Sequence, residues 1–122
     1  MDWYNTVDAY NTSLTKSMPE ELSGYKRQDL AATTVGNYAL FGGGGTSDAT
    51  AIVTAYNASL TRSIPAELTV GRCCLSAATV GNYALFGGGR NGISSNYLYY
   101  KTVDVYNLSL TRTITTELTV AR

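Results

Sequence analysis

The segment Ala32-Thr33-Thr34-Val35-Gly36-Asn37-Tyr38-Ala39-Leu40-Phe41-Gly42-Gly43-Gly44 decides the fold, because it returns 45 residues later as Ala77-Ala78-Thr79-Val80-Gly81-Asn82-Tyr83-Ala84-Leu85-Phe86-Gly87-Gly88-Gly89. A second element occurs three times. It runs from Asp8 to Lys16 (Asp-Ala-Tyr-Asn-Thr-Ser-Leu-Thr-Lys), from Thr54 to Arg62 (Thr-Ala-Tyr-Asn-Ala-Ser-Leu-Thr-Arg) and from Asp104 to Arg112 (Asp-Val-Tyr-Asn-Leu-Ser-Leu-Thr-Arg). A basic residue opens each small-residue segment, Arg27 and Arg72, and the marker recurs as the terminal Arg122. Self-similarity at a fixed period of this length is the signature of a repeat architecture.

Each period holds four short strand candidates. The first is Leu30 to Val35, repeated as Leu75 to Val80. The second is Asn37 to Phe41, repeated as Asn82 to Phe86. Gly36-Asn37 between them is turn chemistry for a two-residue hairpin, where positive φ is wanted. The third is Ala51 to Tyr56, repeated as Thr102 to Tyr106, with apolar or small residues on both sides as in a strand buried on both faces. The fourth is Leu60 to Ile64, repeated as Leu110 to Ile114, and Asn and Ser supply the turn before it. No segment sustains a helical period of apolar residues. Four antiparallel strands every 45 to 50 residues is the period of a β-propeller blade. Small side chains in the first strand (Ala31, Ala32, Thr33, Thr34) suit the crowded axis where blades converge. Tyr38, Phe41, Tyr83 and Phe86 are expected to help fill the blade cores.

The order of Arg, small-residue strand, Gly turn, Tyr-x-Leu-Phe-Gly-Gly, loop and Val-x-x-Tyr resembles the kelch repeat. The resemblance covers nearly the whole chain and implies an all-β fold of kelch-like β-propeller blades, about two and a half four-stranded antiparallel blades per chain. It departs from the family in one respect: Leu60-Thr61-Arg62-Ser63 stands where the family's fourth strand usually carries a Trp, and the sole tryptophan is Trp3. The expected organisation is a half blade over 1–26, holding third and fourth strands, then repeats over 27–71 and 72–122.

Composition narrows the function. The chain has 122 residues with nine Lys plus Arg against nine Asp plus Glu, so no basic face offers itself to nucleic acid. No apolar run approaches the roughly 20 residues of a membrane-spanning helix, and the N-terminal residues lack the pattern of a secretory signal. Neither a nucleic-acid nor a membrane partner is expected. Histidine is absent, which removes the commonest general base and metal ligand together. The two cysteines, Cys73 and Cys74, are adjacent and read as reduced thiols in one strand, since neighbouring cysteines seldom bridge. The runs Gly42–Gly45 and Gly87–Gly89 lack the following helix and Lys-Ser or Lys-Thr of a phosphate loop and read as strand-end turns. Glu20-Glu21, Glu67 and Glu117 fall in exposed linkers rather than as converging carboxylates. No catalytic, cofactor-binding or metal site is therefore expected, and the reading is of a non-enzyme.

Two features remain as candidate sites. Phe41 to Tyr56 is 15 positions but Phe86 to Tyr106 is 20, so the second repeat carries a longer loop between its second and third strands. Arg90, Asn91, Tyr97, Tyr99 and Tyr100 make this either a binding loop for a protein or glycan, or a longer third strand whose tyrosines pack on the next blade. Asn11, Asn57 and Asn107 each open an Asn-x-Ser sequon, which Asx turns explain without sugar; glycosylation would require a secretory route.

Two and a half blades leave blade faces bare, so the chain is expected to be a homo-oligomer. Its contacts would run through exposed blade faces and strand edges, with the Asp2–Ser17 and Thr102–Arg122 segments as contacting ends. A piece of a longer array, a ring-forming unit and an open filament or surface-appendage subunit, phage tail and host-binding parts included, all fit the repetition. The Met at mid-blade favours a piece of a longer gene. The leading function is a non-catalytic structural or binding module, part of or assembling into a β-propeller; the filament subunit is the alternative.

Overall fold

The computed structural model describes residues 4–22, 26–46, 48–91 and 97–122, and among these every regular element is a β-strand. Asp2 and Trp3 lie outside the described residues. Strands β1 (Ala9–Tyr10) and β2 (Lys16–Ser17) form a two-stranded hairpin. Strands β3 (Ala31–Val35), β4 (Tyr38–Gly42), β5 (Val53–Tyr56) and β6 (Arg62–Ser63) form a four-stranded antiparallel sheet in chain order. Strands β7 (Ser76–Val80), β8 (Tyr83–Gly87), β9 (Val103–Tyr106) and β10 (Arg112–Ile114) repeat it. The chain is thus a half blade followed by two full blades, as the period implies.

Pairing registers repeat from blade to blade. Val35 faces Tyr38 across the first hairpin and Val80 faces Tyr83 across its copy; Ala39 faces Tyr56, and Ala84 faces Tyr106. At the tip, Gly36 has φ 55° and Gly81 φ 53°, while Asn37 and Asn82 keep negative φ, so only the first central residue takes the left-handed conformation. That confines the second strand to begin at Tyr38 and Tyr83, one residue later than the sequence pattern suggested.

The fourth strands are shorter than expected because Leu60 and Leu110 belong to the turn. Leu14, Leu60 and Leu110 sit at φ 61°, 62° and 61°, each as the last residue of a three-residue hairpin loop. The side chain of the preceding Asn holds that loop. The Oδ1 atoms of Asn11, Asn57 and Asn107 each accept backbone N–H groups two and four residues on, at 2.9–3.0 Å. These bonds offset the strain of a leucine in left-handed space. The sequon asparagines therefore do turn work in all three copies.

Two glycines at the end of β4 are fixed by close approach. Gly43 has φ 73° and an added Cβ would lie 2.5 Å from the Arg72 carbonyl oxygen of the next blade; Gly44 has φ 85° and would meet the Gln28 oxygen at 2.6 Å. Gly88 and Gly89 repeat both contacts with the Arg122 and Cys73 oxygens. The Gly-Gly signature exists because backbone from two directions occupies the space a side chain would need.

The core lies between the two full blades. Val35, Leu40, Val53 and Ala55 of the first blade meet Leu75, Ala84, Phe86 and Tyr106 of the second, with Leu68 of the connecting segment. Strand β5 is buried at all four positions, and so is β9. Phe86 meets Tyr106 edge to face at 5.8 Å, as Phe41 meets Tyr56 at 5.9 Å. The innermost strands touch through Thr33 and Thr79, whose hydroxyls are 2.7 Å apart, which explains their small side chains. Of the four aromatics expected in the cores, Phe86 is sealed and Tyr38 and Phe41 are half-buried. Tyr83 is exposed, because it lies with Val80 and Leu85 on the open face of the second blade, where its equivalent Tyr38 packs against the inter-blade core. Both cysteines are free thiols ahead of β7 rather than within a strand: buried Cys73 forms an isolated antiparallel bridge with Arg90, and exposed Cys74 sits in a bend at φ 59°.

Candidate functional site

The arginines that mark the repeat in the sequence are internal clamps. Arg72 is wholly buried and donates to the carbonyl oxygens of Gly88 (2.9 Å) and Thr102 (2.8 Å), tying the start of the blade to both strands flanking its long loop. Its other terminal nitrogen meets Asp104 Oδ2 at 2.5 Å, in an ion pair with neither side chain exposed. Thr69, from the segment joining the blades, donates its hydroxyl to Asp104 Oδ1 at 3.0 Å. Burial pulls the Arg72 guanidinium below its ordinary value, and Asp104 opposes the shift. Arg27 repeats the clamp on Gly43 (3.1 Å) and Ile52 (2.7 Å), but reaches Thr54 Oγ1 at 3.0 Å where the second blade has Asp104. The Arg27, Arg72 and Asp104 side chains are buried and their terminal groups bond within the protein, so their geometry is that of a structural joint. The sequence marked the arginines by spacing but gave no sign that Asp104 is the partner.

The long loop forms a compact polar cluster. Asn91 closes it, donating its backbone N–H to Leu98 oxygen (3.1 Å) and accepting the Leu98 N–H on Oδ1 (2.8 Å). The Arg90 guanidinium lies over the Tyr97 ring, 3.9 Å from its centre, and Tyr97 meets Tyr99 edge-on at 6.4 Å. Tyr97 and Tyr99 are exposed, whereas Tyr100 is half-buried at the loop's base, its N–H donated to Gly89 oxygen at 2.9 Å. Arg90, Asn91, Tyr97 and Tyr99 are thus brought together. Residues 92–96 of this stretch lie outside the described residues. The alternative of a longer third strand is not what forms: β9 has four residues, as β5 does, because the Asn91–Leu98 pairing turns the chain back before the strand begins.

A cleft of about 240 Å³ lies beside this cluster, between the loops of the two blades. Gln28, Asp29, Thr46, Asp48, Arg90 and Tyr97 are among its walls. It is below the roughly 300 Å³ at which small-molecule pockets usually begin. Cys73 also lines it, but burial, followed by the neighbouring Cys74 thiol, pushes the Cys73 thiol up, which keeps it protonated at neutral pH. The cleft offers hydrogen bonds, charges of both signs and an exposed aromatic ring. No group of three or more His, Cys, Asp or Glu side chains is placed to hold a metal among the described residues.

The far face of the second blade is the other candidate. Leu40 of the first blade is sealed against the second blade, while its repeat equivalent Leu85 lines a groove of about 600 Å³ with Ala77, Val103, Leu118 and Arg122. Val35 is 0% exposed and its equivalent Val80 is 61% exposed. The same residues, in the same register, are covered in one blade and open in the next.

No family model matches the chain, and no curated protein matches it. Solved structures do share its fold. One is a fungal alcohol oxidase of the AA5 family in complex with copper, with a TM-score of 0.79 and 15% identity over 98% of this chain. Another is YjhT, with a TM-score of 0.77 and 15% identity over 97% of this chain. The chain spans 29% of the first and 40% of the second. At this identity the likeness is one of fold: antiparallel blades packed face to face.

Proposed function

We propose that this chain is a non-catalytic structural or binding module of kelch-like repeats, whose blades pack face to face in building a β-propeller. The carrying observation is the contrast between Val35 and Val80: one repeat position, sealed where a next blade is present and 61% exposed where the second blade's far face is open. A face built from the same Val, Leu and Gly positions as a buried one is made to be covered. Blade packing supplies the scaffold, and the loop cluster of Arg90, Asn91, Tyr97 and Tyr99 supplies the recognition surface. Exposed tyrosines beside a small cleft lined by both carboxylates and a guanidinium suit a polar ligand, such as a glycan or a polar peptide segment.

Electron microscopy of the purified chain tests the architectural part. Closed rings of blades around an axis are the expected particles. Open filaments would favour the appendage-subunit reading, and isolated particles of a single chain would overturn assembly through the blade faces.

A further inference from the structure

Inside the chain, the joint between the blades has two complementary halves. One half belongs to the segment joining the blades: the carbonyl oxygens of Ala66 and Glu67, the hydroxyl of Thr69 and the guanidinium of Arg72. The other belongs to β9 and β10. Tyr106 donates its hydroxyl to Ala66 oxygen at 2.6 Å, Arg112 donates to Glu67 oxygen at 2.5 Å, and Asp104 accepts from Thr69 and Arg72. The backbone-directed part of the joint recurs between the half blade and the first blade, where Tyr56 donates to Glu20 oxygen and Arg62 to Glu21 oxygen, while Arg27 meets Thr54 in place of a carboxylate.

Both halves occur once more, at opposite ends of the molecule. The repeat places Thr116, Glu117, Thr119 and Arg122 where Ala66, Glu67, Thr69 and Arg72 stand, 50 residues earlier. It places Asp8, Tyr10 and Lys16 where Asp104, Tyr106 and Arg112 stand. The side chains that are sealed in the internal joint are open here: Asp104, Tyr106 and Arg72 are buried, whereas Asp8, Tyr10 and Arg122 are exposed. Asp8 and Tyr10 are two residues apart across the start of β1, so they share a face, as Asp104 and Tyr106 do. The charges are complementary, with a carboxylate on the hairpin and a guanidinium on the C-terminal segment. The Arg122 backbone is already held as the Arg72 backbone is: Gly89 N–H donates to Arg122 oxygen, as Gly44 N–H does to Arg72 oxygen.

We propose that the β1–β2 hairpin of one copy docks on the Thr115–Arg122 segment of a second copy, with Asp8 accepting from Arg122 and Thr119, Tyr10 donating to Thr116 oxygen and Lys16 reaching Glu117 oxygen. This rests on the reading that copies meet through their blade faces, and it specifies the pairing. The contact is head to tail, so each copy uses one half of the joint at each end. It covers the outer part of the groove at Leu118 and Arg122.

Sedimentation velocity on the intact chain tests it with Asp8→Arg, Arg122→Asp and their equimolar mixture. Both positions are solvent-exposed, and circular dichroism confirms that each variant keeps its β-signal. The wild-type chain is expected to associate. Each variant alone, facing like charge with like, is expected to need at least a tenfold higher concentration. The mixture is expected to recover. The arginine introduced at position 8 of one variant then meets the aspartate introduced at position 122 of the other, and the remaining contact is the native one between Asp8 and Arg122. If the wild type associates and the single variants do so equally well, the pairing is wrong while association through blade faces stands. If the singles weaken and the mixture does not recover, the pairing is also wrong. A wild type that stays a monomer throughout overturns both.

Discussion

Val35 and Val80 hold one position in successive blades, each facing a tyrosine across a two-residue turn, yet Val35 is sealed by the neighbouring blade and Val80 stands 61% exposed. The pair separates what a blade needs for its own folding from what it presents to a neighbour. Val35→Asp places an unpaired carboxylate in the inter-blade core and is expected to cost about 3 kcal/mol or more. Val80→Asp is expected to change the stability of the isolated fold by about 0.5 kcal/mol or less. Urea denaturation of both variants, followed by circular dichroism, checks this; equal losses would mean that the two valines are not in different environments.

The Arg72–Asp104 clamp gives a graded prediction. Asp104→Ala leaves a buried guanidinium without its carboxylate and is expected to destabilise the chain by roughly 3–5 kcal/mol. Asp104→Thr is expected to cost clearly less, because the first blade places Arg27 against Thr54 in the same geometry. Denaturant midpoints for the two variants decide it, and a threonine as damaging as alanine would contradict the equivalence of the two clamps.

Much of this architecture was legible in the chain itself. The Gly-Gly pairs, the Gly-Asn turns and the Asn-x-Ser-Leu-Thr loops sit at fixed offsets, and each meets a local backbone need that residue type reveals. What was not legible depends on contacts between residues distant in sequence. The arginines recur visibly, but that Arg72 finds Asp104 while Arg27 finds Thr54 depends on strand register 27 to 32 residues away. Leu60 and Leu110 read as strand residues because leucine rarely takes positive φ, and only the asparagine-anchored turn explains why they do. In the long loop, the tyrosines read more readily as a longer third strand packed on the next blade than as a binding loop, and the Asn91–Leu98 pairing shows the chain turning back instead.

Asn57 tests the turn chemistry. Its Oδ1 accepts from Ser59 and Thr61 N–H groups, so Asn57→Ala removes two hydrogen bonds and is expected to cost about 1–2 kcal/mol. Asn57→Asp keeps the acceptor and is expected to stay within about 0.5 kcal/mol of the parent. The two thermal midpoints, measured side by side, would contradict this account if aspartate fell as far as alanine.

Alkali should weaken the fold through its buried acids. Burial raises the Tyr106 and Tyr56 phenols above their ordinary value of 10.0, and burial raises the Cys73 thiol above 9.0. The folded state therefore holds these protons more tightly than the unfolded state does. Their contribution is fully present below the unfolded values and is lost as pH rises past about 9 for the thiol and about 10 for the phenols. Urea titrations from pH 7 to pH 11 are expected to show stability flat at first and then falling, with a shallower fall in Tyr106→Phe. A stability that rises over that interval would contradict the burial of these groups.

The proposed association of chains through the open face of the second blade is tested by sedimentation equilibrium of the purified 122-residue chain over a wide concentration range. The weight-average mass is expected to climb above the 13.0 kDa of one chain as concentration rises. A mass that stays at one chain across the whole range, with cooperative unfolding, would contradict it.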